Sequence, residues 1–249
     1  FPYTTLFRSE LFTRTAQCDL GTSLTLEGGQ VLSQEPAGCP LGTTLVVRDL
    51  FYNTPARLKF MRKDSAETAA VNGLMQRFSV DIAQAERVAR VASTLFTQAT
   101  PQTSERAARK LEWAARLHEI GGIISHSDYH RHGAYILDHA DAAGFAVSEL
   151  HRLGALVLGQ RGKVRKLEIE LINDPGFCLQ LLSLRVAVAL CHARRDPDVD
   201  GLSLRALGSR HTISTRAGWA AAYPQSAHLL REEIVAWQKT PWELELNLG

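Results

Sequence analysis

The sequence predicts an α+β chain, mainly helical, with a small β/α segment on its N-terminal side. Three observations lead there. Residues 11–60 alternate in period two and contain hairpin signals. Residues 80–195 repeat in period 3.6 and are rich in alanine, leucine and arginine. The tail mixes both periods. With 249 residues, 45% hydrophobic and 22% charged, the chain has room for one large globular domain or two smaller ones.

Taken in order, Leu11–Ala16, Ser23–Glu27, Gln30–Gln34 and Thr43–Asp49 read as short strands. Gly28-Gly29 is expected to close the middle pair, because glycine accepts the positive φ of a two-residue hairpin. Pro40 and Gly42 punctuate the entry to the last strand. A helical pattern covers Ala66–Arg77 and runs into the next. There Ile82, Ala85, Val88, Ala89, Ala92, Leu95 and Phe96 fall on one face of a helix. The polar stretch Thr97–Ser104 reads as a loop. Ser104 is placed to N-cap the following helix, with Glu105 in its first turn, and Gly121-Gly122 is expected to end it. Further helices are expected at about 131–140, 147–159, 175–194 and 226–239, the third opened by the cap-and-proline pair Asp174-Pro175. Leu202–Leu207, Thr212–Thr215 and Trp242–Leu246 read as short strands.

Several function classes are disfavoured by composition. A net charge of +2 argues for no polyanionic partner in bulk, so any anion site has to rest on local clusters. No apolar run approaches the roughly 18–20 residues needed to cross a bilayer, and no membrane partner is expected. The N-terminus lacks the charged and apolar regions of a signal peptide. Cys18, Cys39, Cys178 and Cys191 are scattered with no CxxC pair, so a zinc site is not expected and reduced thiols in a cytoplasmic setting fit better. The first nine residues, FPYTTLFRS, match a translated sequencing adapter and are set aside from fold reasoning as an expected scar.

The run GTTLVVRDLFYNTPARLKFM (Gly42–Met61), with GGQVLSQEPAGCPLGT before it, resembles the DNA mismatch-repair protein MutL. The resemblance, taken over residues 10–77, implies a partial sheet of a GHKL-type ATPase, with Gly42 and Thr43 matching the last short motif lining its nucleotide pocket. The other motifs of that pocket lie outside this sequence. One Gly-Thr supplies neither the several N–H donors nor the metal that a nucleotide phosphate needs. ATP hydrolysis is not expected, nor DNA binding from this segment alone.

A second resemblance covers residues 78–249. LEWAARLHEIGGIISHSDYHRHGAYIL (Leu111–Leu137), LVLGQRGKVRKLEIEL (Leu156–Leu171), LLSLRVAVALCHARRD (Leu181–Asp196) and the AGWAAAYP…LLREEIVAWQ tail resemble the C-terminal domain of the Ppx/GppA family, the exopolyphosphatases and guanosine pentaphosphatases. The resemblance implies an HD-like helical fold that dimerises. In intact relatives it is attached to actin-like domains that bind magnesium and hydrolyse phosphoanhydride bonds. Those domains are not in this sequence, so no cofactor is expected for this chain and no catalytic residue is assigned to it outright. An HD-type phosphohydrolase would hold a metal through histidines and aspartates. Here Gln84 stands at the place of the first histidine, and the candidate pair His118 and Glu119 replaces His-Asp. Glutamate's extra methylene moves its oxygens by about 1.5 Å. A buried scaffold role is the expectation for this pair, with metal-dependent hydrolysis as the alternative.

The cationic residues make the better site. His126, His130, Arg131 and His132 follow the HEIGG segment, and Arg161, Lys163, Arg165 and Lys166 crowd behind Gly159. In the family these segments resemble walls of the channel that accepts a polyphosphate chain, so polyphosphate or guanosine pentaphosphate is the expected ligand. Arginine forks and lysine charges suit a chain that is negative at every unit. Gln160 stands where many relatives carry a histidine. The two resemblances share no pathway, and their junction falls inside a helical pattern rather than a Pro/Gly-rich linker. The chain is therefore expected to join a truncated mismatch-repair piece to a Ppx/GppA piece as an assembly chimera.

Overall fold

The computed structural model describes residues 8–27, 30–48, 55–100 and 104–249. The chain divides into two compact units, one ending at Ala66 and the other running Glu67–Gly249. The fold is α+β, as expected.

In the first unit, strands β1 (Arg8–Arg14), β2 (Gly21–Glu27), β3 (Gln30–Ala37) and β4 (Gly42–Arg48) form an antiparallel sheet in the order β3-β2-β1-β4. Leu11 pairs with Leu24 on one side and Leu45 on the other, so the apolar positions of three strands align across the sheet. The Gly28-Gly29 hairpin lies outside the described residues. Gly42, at φ +104°, takes a backbone that L residues rarely adopt just as β4 begins. Thr43 is exposed on this edge strand, and its hydroxyl is 2.9 Å from that of Thr13.

The second unit is helical. The last turns of α1 (Pro55–Arg77) contribute Val71, Leu74 and Met75 to its core. It therefore starts about eleven residues before the boundary read from sequence. The reason is electrostatic as well as apolar. Glu67 is fully buried and accepts both Nη groups of Arg106, each at 2.5 Å. The Arg106 fork also reaches Glu149 at 2.7 Å.

Helices α2 (Ile82–Ala99), α3 (Glu105–Arg116) and α7 (Pro175–Leu190) form the centre. The apolar face predicted for α2 is the buried one, except Ile82, which is 59% exposed at the first turn. Both predicted caps are present. The Ser104 side chain accepts from Ala107 N at 3.2 Å, and Asp174 accepts from Gly176 N at 2.8 Å and Phe177 N at 3.1 Å. α7 is buried almost all round, from Phe177 to Leu190. Helices α5 (Val147–Gly159), α6 (Ile169–Ile172) and α9 (Pro224–Ala236) also pack on α7, with α4 (Tyr129–Asp138) laid against α5 and α8 (Trp219–Ala222) against α9. The small sheet adds β5 (Leu202–Leu207), β6 (Arg210–Thr215) and β7 (Glu243–Asn247), in which β5–β6 is antiparallel and β6–β7 parallel. Trp113, Trp219 and Trp237 are among the largest fully buried side chains, and Trp237 meets His211 of β6.

Gly121 does not end α3 as a left-handed cap. The helix stops at Arg116, and Gly121 lies in a 3-10 turn, Ile120–Ile123, pressed against the start of α4. A Cβ there would fall 2.2 Å from Tyr129 O and 2.5 Å from Gly133 N, so only a hydrogen fits. Gly154 makes a similar approach to Ala134 O, 3.2 Å from its would-be Cβ. These glycines let α4 lie close on the 3-10 turn and on α5. That packing fixes where the histidines of α4 sit relative to the loop that leaves α5.

Candidate functional site

Two clefts meet in the helical unit. The larger, of about 620 Å³, lies among the loop Glu119–Tyr129, the end of α5 and the C-terminal half of α7. A neighbour of about 310 Å³ shares Glu119, His126, Tyr129 and Arg194 with it. A third, of about 120 Å³, shares Arg161 and Gly162 with the first and is lined by His130, Arg131, Lys163 and Lys166.

The predicted cationic residues distribute unevenly over these clefts. His126 is exposed and lines the two larger ones. Arg161, exposed on the loop after α5, lies over the Tyr129 ring with its guanidinium carbon 5.6 Å from the centroid. His130, Arg131, Lys163 and Lys166 converge on the small cleft. His132 and Arg165 line none of the three. Partial burial and the neighbouring Arg161 and Arg131 charges push the His130 pKa down, so its ring favours the neutral form. Its Nδ1 is buried without a hydrogen-bond partner among the described residues. Arg131 sits 3.7 Å from Asp128, one turn back. Burial raises the pKa of Tyr129 against the opposing pull of Arg161.

The HD-like pair is held by the protein itself. His118 is buried, with Nδ1 2.7 Å from Ala115 O as donor, and burial lowers its pKa toward the neutral imidazole. Gln84, at the place of an expected histidine, donates to Cys191 O at 3.0 Å and accepts from Arg87 at 2.7 Å. Glu119 accepts twice from Arg194 Nη2, at 3.0 and 3.1 Å, and Arg194 Nη1 reaches Asp81 at 2.6 Å. Among the described residues, no three His, Cys, Asp or Glu side chains gather as a metal site requires.

Gln160 is 3% exposed at the floor of the large cleft. Its Nε2 donates to His118 O at 2.6 Å and Val157 O at 3.0 Å, while Oε1 has no protein partner. Gln160 thus fastens the His118 turn to the end of α5.

Two further residues shape the site and were not singled out from sequence. Arg185 is buried beneath the large cleft. Its Nε and Nη2 bind the Glu233 carboxylate at 2.6 and 3.0 Å, and its Nη1 donates to Gly159 O, directly before Gln160 and Arg161. An arginine inside the otherwise apolar run Leu184–Leu190 is the signal that marks it, since a guanidinium in such a helix requires a partner. Arg194 is the second. Its φ of +53°, left-handed for a non-glycine, turns the chain after α7 back toward the clefts.

Residues 67–234 match the family model described as Ppx/GppA phosphatase, domain III. The chain is 33% identical over 187 residues to a guanosine-5'-triphosphate,3'-diphosphate pyrophosphatase of Aeromonas hydrophila, which covers 73% of this chain and 38% of that protein. It is 29% identical over 182 residues to the protein of the same description from Pseudoalteromonas translucida, covering 71% of this chain and 37% of that one. The chain thus spans less than two-fifths of the length of these curated relatives. The match begins at 67, where the helical unit also begins. Over this unit the chain belongs to the Ppx/GppA phosphatase family, as its domain III.

Proposed function

We propose that the helical unit is a phosphate-chain-binding module of a Ppx/GppA phosphohydrolase, taking inorganic polyphosphate or guanosine pentaphosphate, and that it does not hydrolyse them by itself. The observation that carries this is the position of Arg161. It is shared by the large and small clefts, and beside it stand His130 and Arg131 from α4 and Lys163 and Lys166 from its own loop. Four side chains with fork or point charges around one concave surface suit a flexible polyanion. His118 and Glu119 serve as scaffold, since each already has its partner inside the protein. The family resemblance implies that hydrolysis belongs to magnesium-binding, actin-like domains and not to this unit. A cytoplasmic location and a homodimer through the helical unit complete the reading. No helix among the described residues is long and apolar enough to cross a membrane.

The N-terminal unit is read as a remnant of a MutL-like sheet, joined to the helical unit in a chimeric chain. Gly42 and Thr43 would be what is left of its nucleotide pocket, with no ATP hydrolysis and no DNA binding. A purified chain tests these points together. It should retain inorganic polyphosphate with a salt-dependent affinity, leave ATP intact, and release no phosphate with added magnesium or manganese. Phosphate release with either metal would return the HD-type hydrolase to first place. Sizing the chain in solution decides the homodimer.

A further inference from the structure

The wall shared by the first cleft and its neighbour of about 310 Å³ has a charge problem for an anionic ligand. Glu119 faces both clefts, and Asp81 lines the second. Two carboxylates there would repel any phosphate chain that entered, since like charges a few ångströms apart oppose each other even on a partly solvated wall. One cation spans both. Arg194 places Nη1 2.6 Å from Asp81 Oδ2, and Nη2 3.0 and 3.1 Å from the two oxygens of Glu119. The placement is built rather than casual. Arg194 N donates to Cys191 O at 3.0 Å in the turn that ends α7, and the residue accepts a left-handed φ of +53° to make that turn. Asp81 is itself fixed, capping α2 through Gln84 N at 3.1 Å.

We infer that Arg194 is the residue that makes this wall permissive to a phosphate chain, acting as the counter-ion of Asp81 and Glu119 and not as a phosphate ligand. The fork that would otherwise grip a phosphate is spent on carboxylates. Arg161, which has no ion pair with a described acidic residue in the clefts, is left to grip the ligand. The inference rests on the phosphate-binding reading above and assigns a positioning role within it.

The test uses the full chain and inorganic polyphosphate, with affinity measured by titration calorimetry at fixed salt and thermal melts run on every variant. Arg194→Ala should bind about tenfold more weakly, the order of effect expected of an uncompensated charge on a solvated wall. Asp81→Asn with Glu119→Gln, leaving Arg194 in place, should bind several-fold more tightly than wild type. Asparagine caps a helix as well as aspartate does, so α2 keeps its start in that variant. The triple variant Asp81→Asn, Glu119→Gln, Arg194→Ala should return to wild-type affinity or better. A triple variant as weak as Arg194→Ala would make Arg194 a direct ligand and overturn the inference. Equal affinity of Arg194→Ala and wild type would overturn it too, as would a double variant no tighter than wild type. Failure of the wild-type chain to bind at all would remove the phosphate-binding reading itself, a distinct result from any of these.

Discussion

Arg185 joins three parts of the helical unit, and its removal has a magnitude that follows from the structure. Its side chain is 3% exposed and that of Glu233 11% exposed, so their ion pair lies in the interior. Arg185→Ala strips the carboxylate of both its charge-assisted bonds and leaves Gly159 O without its donor. Breaking a buried pair by removing one partner costs about 3–5 kcal/mol, because the remaining charge stays buried. For a unit of this size each kcal/mol shifts the midpoint by roughly 2–4 °C, so the melt should fall by roughly 6–20 °C. The companion variant, Arg185→Met with Glu233→Leu, removes both charges and should recover about half of that loss. What remains should be about 1–3 kcal/mol for the unpaired Gly159 carbonyl. Circular dichroism at the helical band gives both midpoints. An Arg185→Ala melt within about 2 °C of wild type, or a double variant as unstable as the single, would refute the reasoning.

Gly121→Ala should destabilise the helical unit by more than about 2 kcal/mol, since overpacking that shifts backbone falls in or above the 1–3 kcal/mol range. Gly122→Ala next to it, whose Cβ would meet nothing within 4 Å, should be close to neutral. Urea denaturation of the pair checks the contrast, and equal losses would contradict it. Burial holds folded His118 below its ordinary 6.5, so the unfolded chain takes up the proton first as pH falls. Its contribution is therefore full above pH 6.5 and is lost below it, with a slope of up to about 1.4 kcal/mol per pH unit. His118→Asn should flatten the decline in stability between pH 6.5 and 5, and an unchanged slope would count against a buried neutral imidazole. His151 has the opposite sign. Asp138 and Glu168, each 3.1 Å from one of its ring nitrogens, raise its pKa over the cost of burial. Its contribution is present below 6.5 and fades as pH rises through its folded pKa, so His151→Gln should cost more at pH 6 than at pH 9.

Much of this fold could be read locally. Ser104 and Asp174 cap the helices they were expected to cap, because an N-cap needs only a side-chain oxygen and two following N–H groups. The apolar face of α2 was visible for the same reason, since period alone fixes it. What escaped depended on partners far away in sequence. Arg185 meets a carboxylate 48 residues later, and Arg106 a carboxylate 39 residues earlier. That second pair draws residues 67–77 into the helical unit, which an apolar pattern running on without a break could not show. Gly121 has the sequence signature of a helix end, but a backbone approach from α4 is what requires it. The cationic cluster was visible as composition but not as a surface. Helix rotation and the short turn at Val164–Lys166 direct some of its members into the clefts and leave His132 and Arg165 out.

Binding of a phosphate chain by Arg161 and its lysine neighbours is read from the affinity of the full chain for inorganic polyphosphate, measured across a salt series for wild type and for Arg161→Ala with Lys163→Ala. Wild-type binding should weaken steadily with salt, as multiple ion contacts require. The double variant should bind at least tenfold more weakly with a shallower salt dependence, each lost fork or point charge removing a charge-assisted contact. Binding that is unchanged by the two substitutions, or indifferent to salt, would contradict it.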